Sequence, residues 1–139
     1  MTISLEHVAI WTYQLEALKA YYKTYFNGIA NNKYTNPNND FESYFITFNG
    51  GGARLELMQM PNIPNNLNNS VQQYTGIIHL AFGVATMQEV DAKAATLQAA
   101  GFTILKGPRV TGDGYYEFET LDPDQNRIEV TTVCQPIAL

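Results

Sequence analysis

The chain has two histidines, and each lies in a short apolar run: His7 in LEHVAIWT and His79 in IIHLAFGV. Two glutamates occupy comparable runs, Glu56 in RLELMQM and Glu129 in RIEVTTV. Side chains alternate faces along a strand, so His7, Ala9 and Trp11 share one face while Val8 and Ile10 share the other. In the same way His79 and Ala81 oppose Leu80 and Phe82. Glu56 points away from Leu55 and Leu57, and Glu129 away from Ile128 and Val130. An ionised carboxylate in an apolar strand is costly unless it is paired, protonated or bound to a cation, and two that converge repel. A divalent ion relieves both problems by taking carboxylate oxygen and imidazole nitrogen together. Two nitrogens and two oxygens, completed by water, suit nickel, cobalt, zinc, iron or manganese, whereas calcium prefers oxygen alone. Taken singly, a strand histidine is ordinarily a hydrogen-bonded structural residue. A strand glutamate ordinarily faces solvent or pairs with an arginine. Arg54 and Arg127 stand two residues before the glutamates, where they could form such pairs or meet a substrate anion. The fourfold pattern, rather than any one residue, points to a metal site at His7, Glu56, His79 and Glu129.

The elements that must position these residues occur twice. His79 follows His7 by 72 residues, and Glu129 follows Glu56 by 73, as Arg127 follows Arg54. Leu15, Leu18, Tyr22 and Tyr25 have the spacing of an amphipathic helix. Met87, Val90, Ala94 and Leu97 repeat that phase, and Thr86 with Glu89 has capping-box spacing at the helix start. Gly28 and Gly101 follow the two helices, where each suits a left-handed cap. The pattern predicts strands at about 4–11, 29–35, 42–48 and 53–60 with a helix at about 14–26, then strands at about 77–84, 102–106, 115–121 and 126–133 with a helix at about 86–100. The Asn- and Pro-rich stretches 31–40 and 61–70 read as loops. GPRVTGDG at 107–114 lacks the lysine of a phosphate-binding loop and reads as a mobile loop. Asp122 to Asn126 reads as a hairpin turn. The expected fold class is α+β: two βαβββ modules whose mixed, curved sheets enclose a metal site. A single domain over 1–139 is expected, with one module at about 1–60, a linker at about 61–75 and a second module at about 76–135.

Composition narrows the setting. The 139 residues are 45% hydrophobic and 15% charged, a globular balance. Eight basic residues against 13 acidic ones give a net charge of −5, which disfavours a nucleic-acid partner because phosphate affinity needs clustered Lys and Arg. One cysteine, Cys134, cannot form an intrachain disulfide, and it has no partner histidine for nucleophilic chemistry. Neither a secretory n-region nor a run of ~20 apolar residues is present, so the expectation is a cytoplasmic protein without a membrane partner. Asn68-Asn69-Ser70 matches a glycosylation acceptor by chance.

The segments EHVAIWT, ARLELM, IIHLAFGV and DPDQNRIEV together resemble the vicinal-oxygen-chelate superfamily over Leu5 to about Val133. That superfamily includes glyoxalase I, fosfomycin-resistance enzymes, bleomycin-binding proteins, methylmalonyl-CoA epimerases and extradiol dioxygenases. The resemblance implies metal ligands at His7, Glu56, His79 and Glu129, a set most similar to bacterial glyoxalase I. It implies a nickel or zinc ion first, with cobalt, manganese or iron as alternatives. It also implies a lyase or isomerase acting on a hemithioacetal or related small carbonyl substrate through a metal-bound enediolate. Glu129 would be the base and Glu56 its counterpart, with Trp11, Met58 and Tyr115 lining the substrate site. A symmetric homodimer is the assembly such relatives imply. Two departures stand out. Gln125 replaces the usual turn glycine, and Trp11 stands where glutathione-using relatives carry arginine, which points to a different substrate. The competing expectations are a small-molecule binding or resistance protein without catalysis and an extradiol-type dioxygenase.

Overall fold

A computed structural model of the chain describes residues 1–134. Among them β1 (His7–Trp11), α1 (Leu15–Phe26), β2 (Ile29–Ala30), β3 (Tyr34–Asn36), β4 (Phe41–Thr47) and β5 (Arg54–Gln59) precede β6 (His79–Gly83), α2 (Met87–Ala99), β7 (Ile104–Val110), β8 (Tyr115–Leu121) and β9 (Arg127–Val133). The chain divides into two compact units, Met1–Asn66 and Leu67–Leu139. In the first, the sheet order is β1-β5-β4-β2, with β3 also paired to β4. In the second it is β6-β9-β8-β7. The first strand of each unit runs parallel to the last, and the other pairs are antiparallel. The fold is therefore the α+β class of two βαβββ modules with mixed sheets. The expected end of the second module, past residue 134, lies outside the described residues. No helix among the described residues is long and apolar enough to cross a membrane.

Each core forms where a helix stripe meets one sheet face. In the first unit Leu15, Leu18, Tyr21 and Tyr22 of α1 are buried, as are Ile46 of β4 and Leu55 and Leu57 of β5. In the second, Val90, Ala94 and Leu97 of α2 are buried, as are Phe118, Ile128 and Val130. Full burial of such side chains contributes about 1.5–3 kcal/mol each. Leu55 and Leu57, like Ile128 and Val130, flank a glutamate, so packing the helix on these residues turns Glu56 and Glu129 to the opposite face. The starts of the two helices lie 72 residues apart and their ends 73, so the extra residue of the second repeat falls within α2.

The helix ends are built differently. Thr86 caps α2 in a full capping box: its hydroxyl accepts from the Glu89 N–H, and the Glu89 carboxylate accepts from the Thr86 N–H. At α1 the N-cap Gln14 makes no side-chain cap bond. Instead the Gln59 side chain, from β5, accepts from the Leu15 N–H at 3.1 Å. Gly101 closes α2 in the left-handed region at φ 94°, as expected. Gly28 does not do so for α1, because Asn27 takes that conformation at φ 54°. Gly28 is needed for space, since a Cβ there would lie 2.5 Å from Ile46 Cγ2.

Two strand expectations, and the loops expected beside them, are corrected. The strand at 29–35 is split into β2 and β3: the Asn31 N–H still donates to the Phe45 carbonyl at 3.0 Å, but the Asn31 side chain accepts from the Phe45 N–H at 2.8 Å. Part of the loop at 31–40 is consequently β3, where Tyr34 packs on Phe41 with ring centroids 6.0 Å apart. The strand expected to end at 106 continues through the supposed loop to Val110. Register shifts between Ile104 and Lys106 and between Lys106 and Arg109 let β7 carry Gly107 and Pro108 without losing β8. Pro is tolerated at such irregularities and on sheet edges.

Candidate metal centre

Both modules build the same pair of side chains in the same way. In the first, β1 and β5 align so that His7 lies opposite Arg54 and Ala9 opposite Glu56. In the second, β6 and β9 align His79 with Arg127 and Ala81 with Glu129. Histidine and glutamate are thus diagonal neighbours on one face. His7 Nε2 lies 3.6 Å from Glu56 Oε1, and His79 Nε2 lies 3.6 Å from Glu129 Oε2. Two donors that each bind one ion at ~2.1 Å stand roughly 3–3.4 Å apart, so each pair fits a divalent cation with little movement. The glutamates are the more enclosed partners, with side-chain exposures of 16% and 13% against 40% and 31% for the histidines.

The surroundings of the two pairs differ. Opposite Glu56 on β4 stands Phe45, whose ring meets the His7 ring edge-on at 5.4 Å. The Arg54 guanidinium lies 4.0 Å over the same ring. Arg54 does not pair with Glu56. It bonds Glu6, whose carboxyl it holds down at about 2, and Glu6 in turn contacts His7 Nδ1 at 3.1 Å. Opposite Glu129 on β8 stands Glu119, and Glu117 lies on the same face two residues away. Burial, foremost, and then a hydrogen bond with Glu117 push the Glu129 carboxyl up to about 7, and the charges of Glu117, Glu119 and Asp113 act the same way. Arg127, itself buried, donates to the Ser70 carbonyl at 3.2 Å and stands 3.7 Å from Glu119 Oε2. Donor atoms of His79, Glu119 and Glu129 all lie within 4.8 Å of one another.

Among the expected lining residues, Trp11 and Met58 are cross-strand partners at one end of the first site and share its face. Trp11 also meets Phe41 edge-on at 6.1 Å. Tyr115 begins β8, on the face of Glu117 and Glu119, and is exposed. The turn before β9 forms on Asp122, whose carboxylate accepts from the backbone N–H groups of Asp124 and Asn126, both at 2.9 Å. Gln125 adopts φ 68° there and so takes the conformation that favours glycine. That turn fixes the register that sets Glu119 against Glu129.

A family model described as Glyoxalase/Bleomycin resistance protein/Dioxygenase superfamily matches residues 4–130. Among solved structures, a glyoxalase family protein from Enterococcus faecalis is 25% identical, with 92% of this chain and 96% of that chain covered at a TM-score of 0.69. A glyoxylase/bleomycin resistance protein/dioxygenase domain from Frankia sp. EAN1pec has a TM-score of 0.78 at 16% identity, covering 96% of this chain and 99% of the other. The fosfomycin resistance protein FosX from Listeria monocytogenes, complexed with Mn(II) and sulfate ion, has a TM-score of 0.71 at 17% identity, covering 97% and 96%. No curated protein matches the sequence.

Proposed function

The chain belongs to the Glyoxalase/Bleomycin resistance protein/Dioxygenase superfamily, and from that premise we propose that it is a metal-dependent lyase or isomerase of glyoxalase I type. The proposed substrate is a hemithioacetal or a related small carbonyl compound. The observation that carries this reading is the doubled His–Glu pair, each at 3.6 Å and each at the same position of its module. His7, Glu56, His79 and Glu129 would hold one divalent ion, with nickel or zinc proposed ahead of cobalt, manganese and iron. Such an ion supplies Lewis acidity toward the substrate oxygens.

The chain's own residues would supply the proton chemistry. Glu129 takes the proton from the carbon next to the carbonyl and returns it to the adjacent carbon, so the reaction is redox-neutral overall. Glu56 occupies the matching position in the other module and holds the counterpart role. Trp11, Met58 and Tyr115 would exclude water from the reacting carbons. Trp11, in place of a basic residue, favours a thiol component without the anionic groups of glutathione. We also propose a symmetric homodimer, the commonest soluble symmetry, for which sedimentation must return twice the 15.6 kDa chain mass.

A second reading, in keeping with the likeness to the fosfomycin resistance protein FosX, is a small-molecule binding or resistance protein without catalysis. One screen separates the two. Metal-loaded and chelated protein would be assayed against hemithioacetals, epoxide antibiotics, acyl-CoA epimers and catechols. Turnover of a hemithioacetal that chelation removes supports the lyase. Tight binding without turnover, unchanged by chelation, would reject it. Oxygen consumption with a catechol would point to a dioxygenase instead.

A further inference from the structure

The two modules place the same pair at the same register, yet the residue facing that pair differs. Phe45 lies opposite Glu56, and Glu119 lies opposite Glu129. Like charges set directly across two strands are unfavourable unless something neutralises them. The nearby cation, Arg127, does this only in part: its Nη1 is 3.7 Å from Glu119 Oε2, beyond hydrogen-bond distance, and its Nη2 is committed to the Ser70 carbonyl. Glu119 Oε2 is buried without a hydrogen bond. A buried acceptor left unsatisfied costs on the order of 1–3 kcal/mol, and more when charged. The donor atoms of one imidazole and two carboxylates from three neighbouring strands, β6, β9 and β8, therefore lie within 4.8 Å of one another and are only partly neutralised by Arg127.

We propose that Glu119 is a metal ligand, so that His79, Glu119 and Glu129 form a three-donor cation site within the second module alone. The inference rests on the metal-site reading above and deepens it. It makes the two halves unequal. The second module holds the ion without requiring His7 or Glu56. A third ligand also frees Glu129 for proton transfer, because His79 and Glu119 keep their hold while it exchanges a proton with substrate.

The test uses the full chain, stripped with a chelator and titrated with Co(II) and Zn(II). Calorimetry reads the dissociation constant, and visible absorption reads the Co(II) ligand field. Glu119→Gln is nearly isosteric and should weaken both ions at least tenfold, about 1.4 kcal/mol, and should change the Co(II) spectrum. Glu119→Asp, which keeps a carboxylate, should recover part of the affinity. A His7→Ala/Glu56→Gln double variant should still bind Co(II), and adding Glu119→Gln to it should abolish binding. Far-UV circular dichroism and melting confirm that each variant is folded. Affinity within twofold of the parent and an unchanged spectrum in Glu119→Gln would overturn the proposal, as would equal damage from Glu119→Asp. If His79→Ala and Glu129→Gln lose the ion while Glu119→Gln does not, the metal-site reading survives and this inference alone fails. If the parent chain takes up neither ion, both fall.

Discussion

The first module surrounds its His–Glu pair with aromatic carbon, and the second surrounds its pair with carboxylates. His7 rests on Phe45, and the nearby Arg54 is drawn away to Glu6. Glu129 faces Glu119, shares a hydrogen bond with Glu117 and is driven up to about 7, chiefly by burial. The strands that carry the two pairs, β1 with β5 and β6 with β9, are paired in the same parallel register. The repeated strand pairing and the His–Glu pair are thus common to both modules, while the residue on the neighbouring strand differs. The lesson is that internal symmetry of backbone does not imply symmetry of chemistry. One half offers a wall and the other offers charge.

The comparison breaks most visibly in catalysis. Glu129→Gln keeps the size and one oxygen but removes the base, so turnover on an authenticated substrate should fall about 100-fold or more, the usual scale for a general base. Glu56→Gln, beside Phe45, should lower turnover about tenfold at saturating metal, because it removes a donor without removing the proton acceptor. Rates are to be measured at matched metal occupancy. Equal losses in the two variants would mean that the halves are chemically equivalent and that Glu129 is not singled out as the base.

A second difference lies in the glycines. A Cβ on Gly107 would meet the Glu117 carbonyl oxygen at 2.4 Å, at a backbone φ of 80°. Both the strain and the clash are with main chain, so Gly107→Ala should cost about 3 kcal/mol. The cost falls on β7 and β8, the strands that position Glu117 and Glu119, so metal affinity should drop as well. Gly28→Ala meets the Ile46 side chain at 2.5 Å and, less closely, the Tyr22 carbonyl oxygen at 3.1 Å, in an allowed backbone region. It should cost about 2 kcal/mol and leave metal affinity alone. Denaturant midpoints with parallel metal titrations check both statements. A Gly28 variant with the larger affinity loss would contradict this assignment of the strands.

Much of this was legible in the sequence, and the exceptions have physical causes. The helices showed because burial imposes a 3.6-residue rhythm, and Val90, Ala94 and Leu97 are buried as that rhythm requires. The histidines and glutamates showed because charge amid apolar strand residues needs a reason. β7 beyond Lys106 was hidden because Gly107 and Pro108 read as loop residues, and only the shifted pairing with β8 keeps them in a sheet. The Asn27 cap was hidden behind Gly28, since both residue types tolerate a left-handed backbone. Glu119 was missed because YYEFETL reads as an ordinary half-exposed strand. A signal was nevertheless present. The turn on Asp122 sets Leu121 opposite Arg127, and moving two residues away from the turn along each strand brings Glu119 to Glu129. Register carried by a hairpin turn is as informative as a motif, but it links residues that no local window contains.

The smallest expected effect concerns how the two helices begin, and it separates a neutral cap from a charged one. Glu16, in the first turn of α1, accepts from the Tyr44 hydroxyl at 2.9 Å and pairs with Lys33 at 2.8 Å and Lys19 at 3.2 Å. Lys33 first, then Tyr44, hold its carboxyl down at about 2, against an ordinary value of 4.5. A carboxyl whose folded value is lowered contributes stability that is complete above its unfolded value and is lost as pH falls through the folded one. The window is therefore pH 4.5 down to about 2. Side-chain exposure of 58% keeps the gain small, within the roughly 0.2–1 kcal/mol of exposed pairs. Glu16→Gln should melt slightly below the parent at pH 7, and the gap should close as the pH is lowered across that window. Thr86→Ala, at the start of α2, removes a hydroxyl that does not titrate. It should cost about 1 kcal/mol at neutral pH, and the loss of that hydroxyl's bond to the Glu89 N–H should persist on acidification. Melting curves of parent and variants at matched low salt, from pH 7 to pH 2, read both differences. A Glu16 gap that stays constant over that range would show that the carboxylate's charge does not support α1, leaving the Gln59 side chain to hold the helix start.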